Sequence, residues 1–269
     1  MKDSIDYKSI NKESWNRRTE SHYDSEFYDN KNFIKGKNSL NDIELEILGD
    51  VSGKSILHLQ CHFGQDTISF SRLGAKAVGV DLSDRAIEKA KGLAEITESS
   101  AEFICSDIYD LPNVLDGKFD IVFTSYGTIG WLPDLDKWAS VVKHFIKQGG
   151  QFLIADFHPT LWMFDDNFEG VKYNYFNDGP IVETETGSYA DKEGEWEKEY
   201  VGWNHSIAEI LTSLMDKGLT IKKMQEFDYS PYDCFSHTEK VGDRKFQIKK
   251  FGNKLPMVYA ILAENIITE

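Results

Sequence analysis

The chain has 269 residues, 41% hydrophobic and 13% aromatic, enough for one large α/β domain or one domain with a sizeable insertion. Its 30 Lys and Arg against 45 Asp and Glu give a formal charge of −15, which argues against nucleic acid as a partner, because such binding rests on basic patches that release counterions. No stretch approaches the roughly 18–20 apolar residues that cross a bilayer, and the N-terminus has no apolar signal region, so a cytoplasmic protein without membrane association is expected.

The first 40 residues are polar and aromatic; they read as partly helical, lack a core of their own, and must lie on the main domain. From Lys54 to Phe157 short apolar runs alternate with amphipathic, helix-length segments. Ser55–Leu59 is a strand ending in a turn at Gln60–Gly64, followed by a helix over Asp66–Leu73 that stops at Gly74. Ala77–Asp81 is a second strand, and Ser83 is a good N-cap for a helix with Ile87, Ala90 and Leu93 on one face. Ala101–Cys105 and Phe119–Thr124 are the third and fourth strands. A helix over Asp134–Ile146 follows, which Gly149-Gly150 is expected to terminate, and Phe152–Phe157 is the fifth strand. Strands separated by helices argue for a parallel sheet covered on both faces.

The pattern changes near residue 159. Val171–Phe176, Ile181–Thr186 and Trp196–Trp203 are β-type runs broken by turn clusters, expected as a small antiparallel insertion. Its acidic stretch, Glu183–Glu199, reads as solvated strand faces. Ser206–Lys217 is an amphipathic helix, and Leu219–Phe227 and Met257–Glu264 are two last strands. Cys61, Cys105 and Cys234 are odd in number and widely spaced, and are expected as reduced thiols. His58, Cys61 and His62 are metal-capable, but no Cys-x-x-Cys or nearby His pair completes a set. No metal is expected, and Cys61 reads as a small apolar filler under the turn.

The chemistry is concentrated at strand ends. A sharp turn after the first strand of a parallel sheet is where ligands bind in such folds, and here it reads Gln60-Cys-His-Phe-Gly64. Asp81 ends the second strand, where a carboxylate can accept from both hydroxyls of a ribose. Asp107 follows the third, suited to an adenine amino group, and Ser125-Tyr126-Gly127 ends the fourth. A nicotinamide-dependent oxidoreductase would need a Gly-x-Gly-x-x-Gly turn to pass a pyrophosphate, which this turn lacks. That alternative stays open here, as does a non-catalytic nucleoside-binding protein.

In this order of motifs, closed by Gly149-Gly-Gln-Phe-Leu-Ile, the sequence resembles the class I S-adenosylmethionine-dependent methyltransferases. More closely it is similar to an uncharacterised bacterial small-molecule subgroup with LHLQCHFGQDT at the cofactor turn, Trp15-Asn-Arg-Arg-Thr19, Ser25-Glu-Phe-Tyr-Asp29 and Gly130-Trp-Leu-Pro-Asp134. His58 stands where the family has an acid, and Gln60 and His62 stand for two glycines, so that only Gly64 remains.

The resemblance implies a seven-stranded, mostly parallel, doubly wound sheet with a small antiparallel β insertion as a lid. Residues 1–40 become a helical lid, 41–158 the cofactor-binding core, 159–204 the substrate cap and 205–269 the completion of the sheet. It implies S-adenosylmethionine as cofactor and a small-molecule acceptor, and leaves the oligomeric state open. Gln60, Cys61, His62 and Gly64 then meet the methionine part, Asp81 and Leu82 the ribose, and Asp107 and Ile108 the adenine. Ser125 and Tyr126 lie beside the sulfonium, and Arg18, on one helix face with Trp15, meets the cofactor carboxylate. His22, Tyr28, Trp131, His158 and Tyr189 are expected around the acceptor. His158 is the expected general base, because an imidazole titrates near neutrality, and Tyr126 is the other expected catalytic residue.

Overall fold

In the computed structural model, which describes residues 5–266, the chain opens with α1 (Tyr7–Tyr23), α2 (Asn30–Ile34) and α3 (Asp42–Leu48). It then alternates through β1 (Ser55–Leu59), α4 (Gln65–Arg72), β2 (Lys76–Asp81), α5 (Asp84–Ile96), β3 (Glu102–Cys105), β4 (Phe119–Ser125), α6 (Leu135–Phe145) and β5 (Ile146–Phe157). A hairpin of β6 (Ile181–Thr186) and β7 (Glu197–Gly202) precedes α7 (Ile207–Asp216) and β8 (Thr220–Phe227). A second hairpin, β9 (Thr238–Gly242) and β10 (Lys245–Ile248), precedes β11 (Val258–Glu264).

Seven strands form one sheet in the order β3-β2-β1-β4-β5-β11-β8. All neighbouring pairs are parallel except that β11 runs antiparallel to both β5 and β8. The connections step one way from β1 to β3 and the other way from β4 onward. The carboxyl ends of β1 and β4 therefore flank the switch point where a crevice opens.

Alternation along the strands divides the core between two faces. Leu57, Leu59, Val122, Phe152 and Ile154 pack with Trp138 and Phe145 of α6 and Ile210 and Leu214 of α7. Ile56, Ile121, Phe123 and Leu153 pack with Leu48 of α3 and Phe70 of α4. The cap read from the sequence is made, Ser83 Oγ accepting from Ala86 N at 3.0 Å, and two further helices are capped in the same way, Asp134 accepting from Lys137 N at 2.9 Å and Ser206 Oγ from Glu209 N at 3.1 Å.

Two expectations are corrected, and one element is new. Gly149-Gly150 does not cap α6, which ends at Phe145 and passes directly into β5. The pair sits inside β5 and bonds Asn265 there, Gly149 N donating to Asn265 O at 2.7 Å and Asn265 N to Gly150 O at 3.0 Å. Residues 171–176 form no strand, only an isolated bridge from Val171 to Phe164. The β9–β10 hairpin was not expected: its strands are only five and four residues long, and β9 carries no apolar alternation to announce it.

The N-terminal segment lies on the main domain. Asn11 of α1 acts as a surrogate strand for β7, its side chain donating to Val201 O at 2.8 Å and accepting from Val201 N at 2.9 Å. Helix α1 also touches α5.

Candidate active site

The crevice at the switch point has a volume of about 1530 Å³. Its floor is the turn after β1. Gln60 and His62, which stand for glycines in the resembling family, both adopt the left-handed conformation, with φ of 56° and 50°. The turn keeps its glycine-like path, and its side chains gain a role instead. Gly64 (φ 80°) is a glycine for two reasons: its conformation, and the Phe103 ring and Ala90 Cβ that a side chain would strike. Cys61 is the filler expected of it, its Sγ lying where a Cβ on Gly79 would come within 2.8 Å. Among the described residues, no group of His, Cys, Asp or Glu is placed to hold a metal.

Two polar atoms of this turn are buried without a partner, Gln60 Oε1 and His62 Nδ1. Gln60 Nε2 donates to Thr128 O at 3.0 Å, which fixes the amide and leaves its oxygen as a bare acceptor. His62 Nε2 meets His22 Nδ1 at 3.2 Å, and His22 Nε2 meets Ser188 Oγ at 2.9 Å. His62 Nδ1 accepts or donates according to which way that chain of protons is oriented. Burial keeps both rings neutral, pulling His62 down to about 3 and His22 to about 2.

Asp81 and Asp107 line the same crevice. The pairing of β2 with β3 sets Asp81 opposite Cys105, two residues before Asp107, so the two carboxyls sit on neighbouring strand ends. Asp81 accepts from His62 N at 2.8 Å and Ser83 N at 2.9 Å, which orients it while leaving lone pairs free. Burial raises it to about 6. Asp107 accepts from Tyr109 N at 2.7 Å and pairs with Lys8 of α1 at 3.1 Å. Leu82 and Ile108 also line this end.

Arg18, only 4% exposed, sits in an aromatic cage. Its guanidinium lies 5.2 Å from the Trp15 and Trp131 rings and 5.6 Å from Tyr200. It donates to Ser14 Oγ at 2.7 Å and pairs with Glu185 of β6, and so ties α1 to the hairpin. Two of its five donors are thereby used. Trp131 is anchored by Nε1 donating to Gly127 O at 2.7 Å.

The far end of the crevice is aromatic. Tyr28 and Tyr189 share a hydroxyl hydrogen bond of 2.6 Å. Phe27 lies 5.2 Å from Tyr189 and 5.9 Å from Tyr232, and Tyr232 lies 5.1 Å from Tyr126. Ser125 Oγ donates to Asp66 at 3.2 Å and lies 3.4 Å from His58 Nε2. His58, whose Nδ1 meets Thr67 Oγ1 at 2.9 Å, is pulled by burial to about 4 and is a neutral link.

Of the expected site residues, two do not line the crevice. His22 stands behind His62 as its partner. His158 is 4% exposed and turns its ring to Thr160 Oγ1 and Glu226 Oε1, each at 2.9 Å. It ties the end of β5 to β8 and is not among the residues that line the crevice. The imidazole was expected at the rim from its place after the fifth strand, but the short-range turn at Pro159-Thr160 decides its direction.

Asp156, Asp66 and Glu44 were not expected at the site. Asp156 accepts from the N–H groups of Gly127, Thr128 (3.0 Å) and Ile129 (3.1 Å) and from Thr128 Oγ1 (2.8 Å), fixing the loop that carries Tyr126 and Trp131. Its position at the end of the fifth strand was the available signal. Glu44 forms a capping box with Asn41, and that spacing reads only as a helix start.

Known proteins resemble this chain over the same region. Residues 56–150 match a family described as a methyltransferase domain. An uncharacterized methyltransferase of Synechocystis sp. is 33% identical over 133 residues, 49% of this chain and 60% of its own length. A ubiquinone biosynthesis O-methyltransferase of Coxiella burnetii is 26% identical over 123 residues, 46% of this chain and 52% of its own length. The chain thus spans only part of these curated relatives. The crystal structure of an S-adenosylmethionine-dependent methyltransferase from Clostridium acetobutylicum superposes with a TM-score of 0.56 at 17% identity, over 95% of this chain and 98% of that one. At that identity the likeness shows the fold.

Strand order and switch-point crevice are those of the class I S-adenosylmethionine-dependent methyltransferase fold, and residues 56–150 match a methyltransferase-domain family.

Proposed function

We propose that the chain transfers a methyl group from S-adenosylmethionine to a small-molecule acceptor by in-line displacement. The observation that carries this reading is the pair Asp81 and Asp107 on adjacent strand ends of one crevice, one for the ribose and one for the adenine. The orphaned Gln60 Oε1 and His62 Nδ1 fit the polar methionine end of the same ligand, with Cys61 and Gly64 shaping the turn and Arg18 offering its spare donors to the carboxylate. Leu82 and Ile108 flank the nucleoside, and Ser125 and Tyr126 sit toward the sulfonium.

The cofactor supplies a methyl group that is already activated, so the protein's task is alignment and exclusion of water. Tyr28, Trp131 and Tyr189 line the crevice beyond the turn and form the acceptor's surroundings. A small acceptor is favoured because α1 and the β6–β7 hairpin are tied together across the crevice by Arg18–Glu185 and Asn11–Val201. The relative from ubiquinone biosynthesis points the same way, as does the charge of −15, which disfavours a polyanion.

Calorimetric titration with S-adenosylhomocysteine tests the first half: saturable binding is expected, and its absence overturns the reading. Incubation with methyl-labelled cofactor and a low-molecular-weight cell extract tests the second. Binding without protein-dependent label transfer would leave a nucleoside-binding protein that does not turn over.

A further inference from the structure

We propose that Glu44, acting through the Tyr126 hydroxyl, receives the proton that the acceptor gives up, and that the acceptor is a hydroxylated aromatic ring. The proposal rests on the methyl-transfer reading and names the chemistry of its acceptor half.

Glu44 is fully buried. One of its oxygens does the work of a helix cap: Oε1 accepts from Asn41 N at 2.6 Å and from Asn41 Nδ2 at 3.1 Å. The other has no such duty. Oε2 accepts from the Tyr126 hydroxyl at 3.0 Å, and among the described residues no lysine or arginine pairs with this carboxyl. A glutamine would complete the same capping box without the cost of burying an acid. An acid kept there calls for another reason.

Tyr126 supplies it. The residue lines the crevice directly after β4. Its backbone sits at φ 35°, a sparsely populated conformation for a bulky side chain. Tyr126 N donates to Ala155 O at 2.8 Å, and Asp156 clamps the three amides that follow. Surrounding structure thus over-determines a strained residue and aims its ring, with the hydroxyl joined to Glu44.

The groups facing Glu44 are Asp66 from α4, Tyr126, Tyr232 and Tyr229 after β8, and the Asn41 amide at its cap, while Asp42 and Glu46 of its own helix are exposed. The cation near this cluster is Arg244, which donates to Leu40 O and Ser39 O. Burial first, then Asp66, pushes the carboxyl up to about 8. A base that exchanges its proton near neutral pH suits transfer from a weak acid.

The walls name the acid. Phe27, Tyr28, Tyr126, Tyr189 and Tyr232 line this end of the crevice and pack against one another in edge and tilted contacts. Such walls receive a flat uncharged ring by stacking and edge contacts. A hydroxyl on that ring is a poor nucleophile until its proton leaves. The step then balances. The acceptor oxygen bonds to the methyl carbon as its proton passes to the Tyr126 oxygen, and the Tyr126 proton passes to Glu44 Oε2. The carbon–sulfur bond breaks with its electron pair remaining on sulfur, so one carboxylate charge and one sulfonium charge disappear together.

Catechol serves as the probe acceptor, with methyl-labelled S-adenosylmethionine. Glu44→Gln preserves the cap, so affinity for S-adenosylhomocysteine and KM for catechol are expected within about threefold of the parent, while kcat falls about 100-fold, a typical loss for a general base. The rise of kcat with pH toward about 8 disappears in this variant. Tyr126→Phe falls comparably, and the double variant falls little further, because the two residues act as one unit. Difference infrared spectroscopy of the parent against Glu44→Gln shows a protonated carboxyl at neutral pH that ionises around 8. Retained kcat and an unchanged pH profile in Glu44→Gln would reduce Glu44 to a cap and overturn the proposal. Binding of S-adenosylhomocysteine without methylation of catechol would overturn the ring-hydroxyl acceptor. Failure to bind S-adenosylhomocysteine would overturn the methyltransferase reading itself.

Discussion

The two ends of the crevice, which we assign to nucleoside and acceptor, are built on different principles. The nucleoside end is made of consecutive strand ends: the turn at 60–64, Asp81 and Asp107, placed by the register of β1, β2 and β3. The acceptor end is assembled from distant segments, with Tyr28 before α2, Glu44 on α3, Tyr126 after β4, Tyr189 after β6 and Tyr232 after β8. Covalent neighbourhood fixes the first and tertiary packing the second. The first end is therefore bound to the sheet and the second is free to differ between relatives, the arrangement expected where one cofactor serves many acceptors.

The largest effect tests the rigidity of the nucleoside end. Gly64→Ala places a methyl against the Phe103 ring at a φ of 80°, and a loss of about 3 kcal/mol or more is expected in urea unfolding from overpacking and left-handed strain. Stability within about 0.5 kcal/mol of the parent would mean that the turn is not braced as described.

Next comes the division of labour between the two carboxylates. Asp81→Ala is expected to weaken S-adenosylhomocysteine at least about tenfold, the loss of a charged ribose contact. Asp107→Ala is expected to cost less, about threefold, because Lys8 already holds that carboxylate at 3.1 Å. Calorimetry separates them. Equal losses would show that Lys8 yields its partner to the ligand.

A pH scan sharpens the contrast at the acceptor end. Glu44 binds its proton more tightly folded than unfolded, so its contribution to stability falls as pH rises from the ordinary carboxyl value of 4.5 to about 8. The buried histidines His58, His62 and His22 act in the opposite sense: being depressed, they cost stability only as pH drops below 6.5. Between 6.5 and 8 the downward slope of Tm in the parent belongs to Glu44 among these groups. Glu44→Gln is expected to flatten it and to melt a few degrees higher above pH 8. An identical slope in the variant would place the charge elsewhere.

The same contrast explains what could be read from the chain alone. The helix cap at Ser83 and the ends of the first five strands follow from local spacing, and the structure reproduces them, whereas the seven-stranded sheet was implied by the resemblance alone. Gly149-Gly150 misled because a glycine pair looks the same as a helix stop and as an irregularity inside a strand. His158 misled because position along a strand says nothing of the Glu226 that captures the ring from β8. Glu44 was invisible because its cap spacing is local and its contact with Tyr126 spans 82 residues.

The smallest effect concerns the two residues that stand for glycines. At an ordinary position alanine is more favourable than glycine by about 0.5–1 kcal/mol, since glycine loses more freedom on folding. At Gln60, with φ of 56°, the order should invert, because a Cβ in the left-handed region costs about 1–2 kcal/mol. Gln60→Gly and Gln60→Ala lose the same hydrogen bond to Thr128 O and the same unpartnered acceptor. Their difference in unfolding free energy therefore isolates the backbone, and Gln60→Gly is expected to be the more stable by about 0.5–1 kcal/mol. Both should bind S-adenosylhomocysteine equally weakly, since the binding defect comes from the amide and the stability difference from the chain. Were the glycine variant to bind as the parent does, the Gln60 oxygen would have no part in holding the ligand, and the turn would work through its backbone path alone.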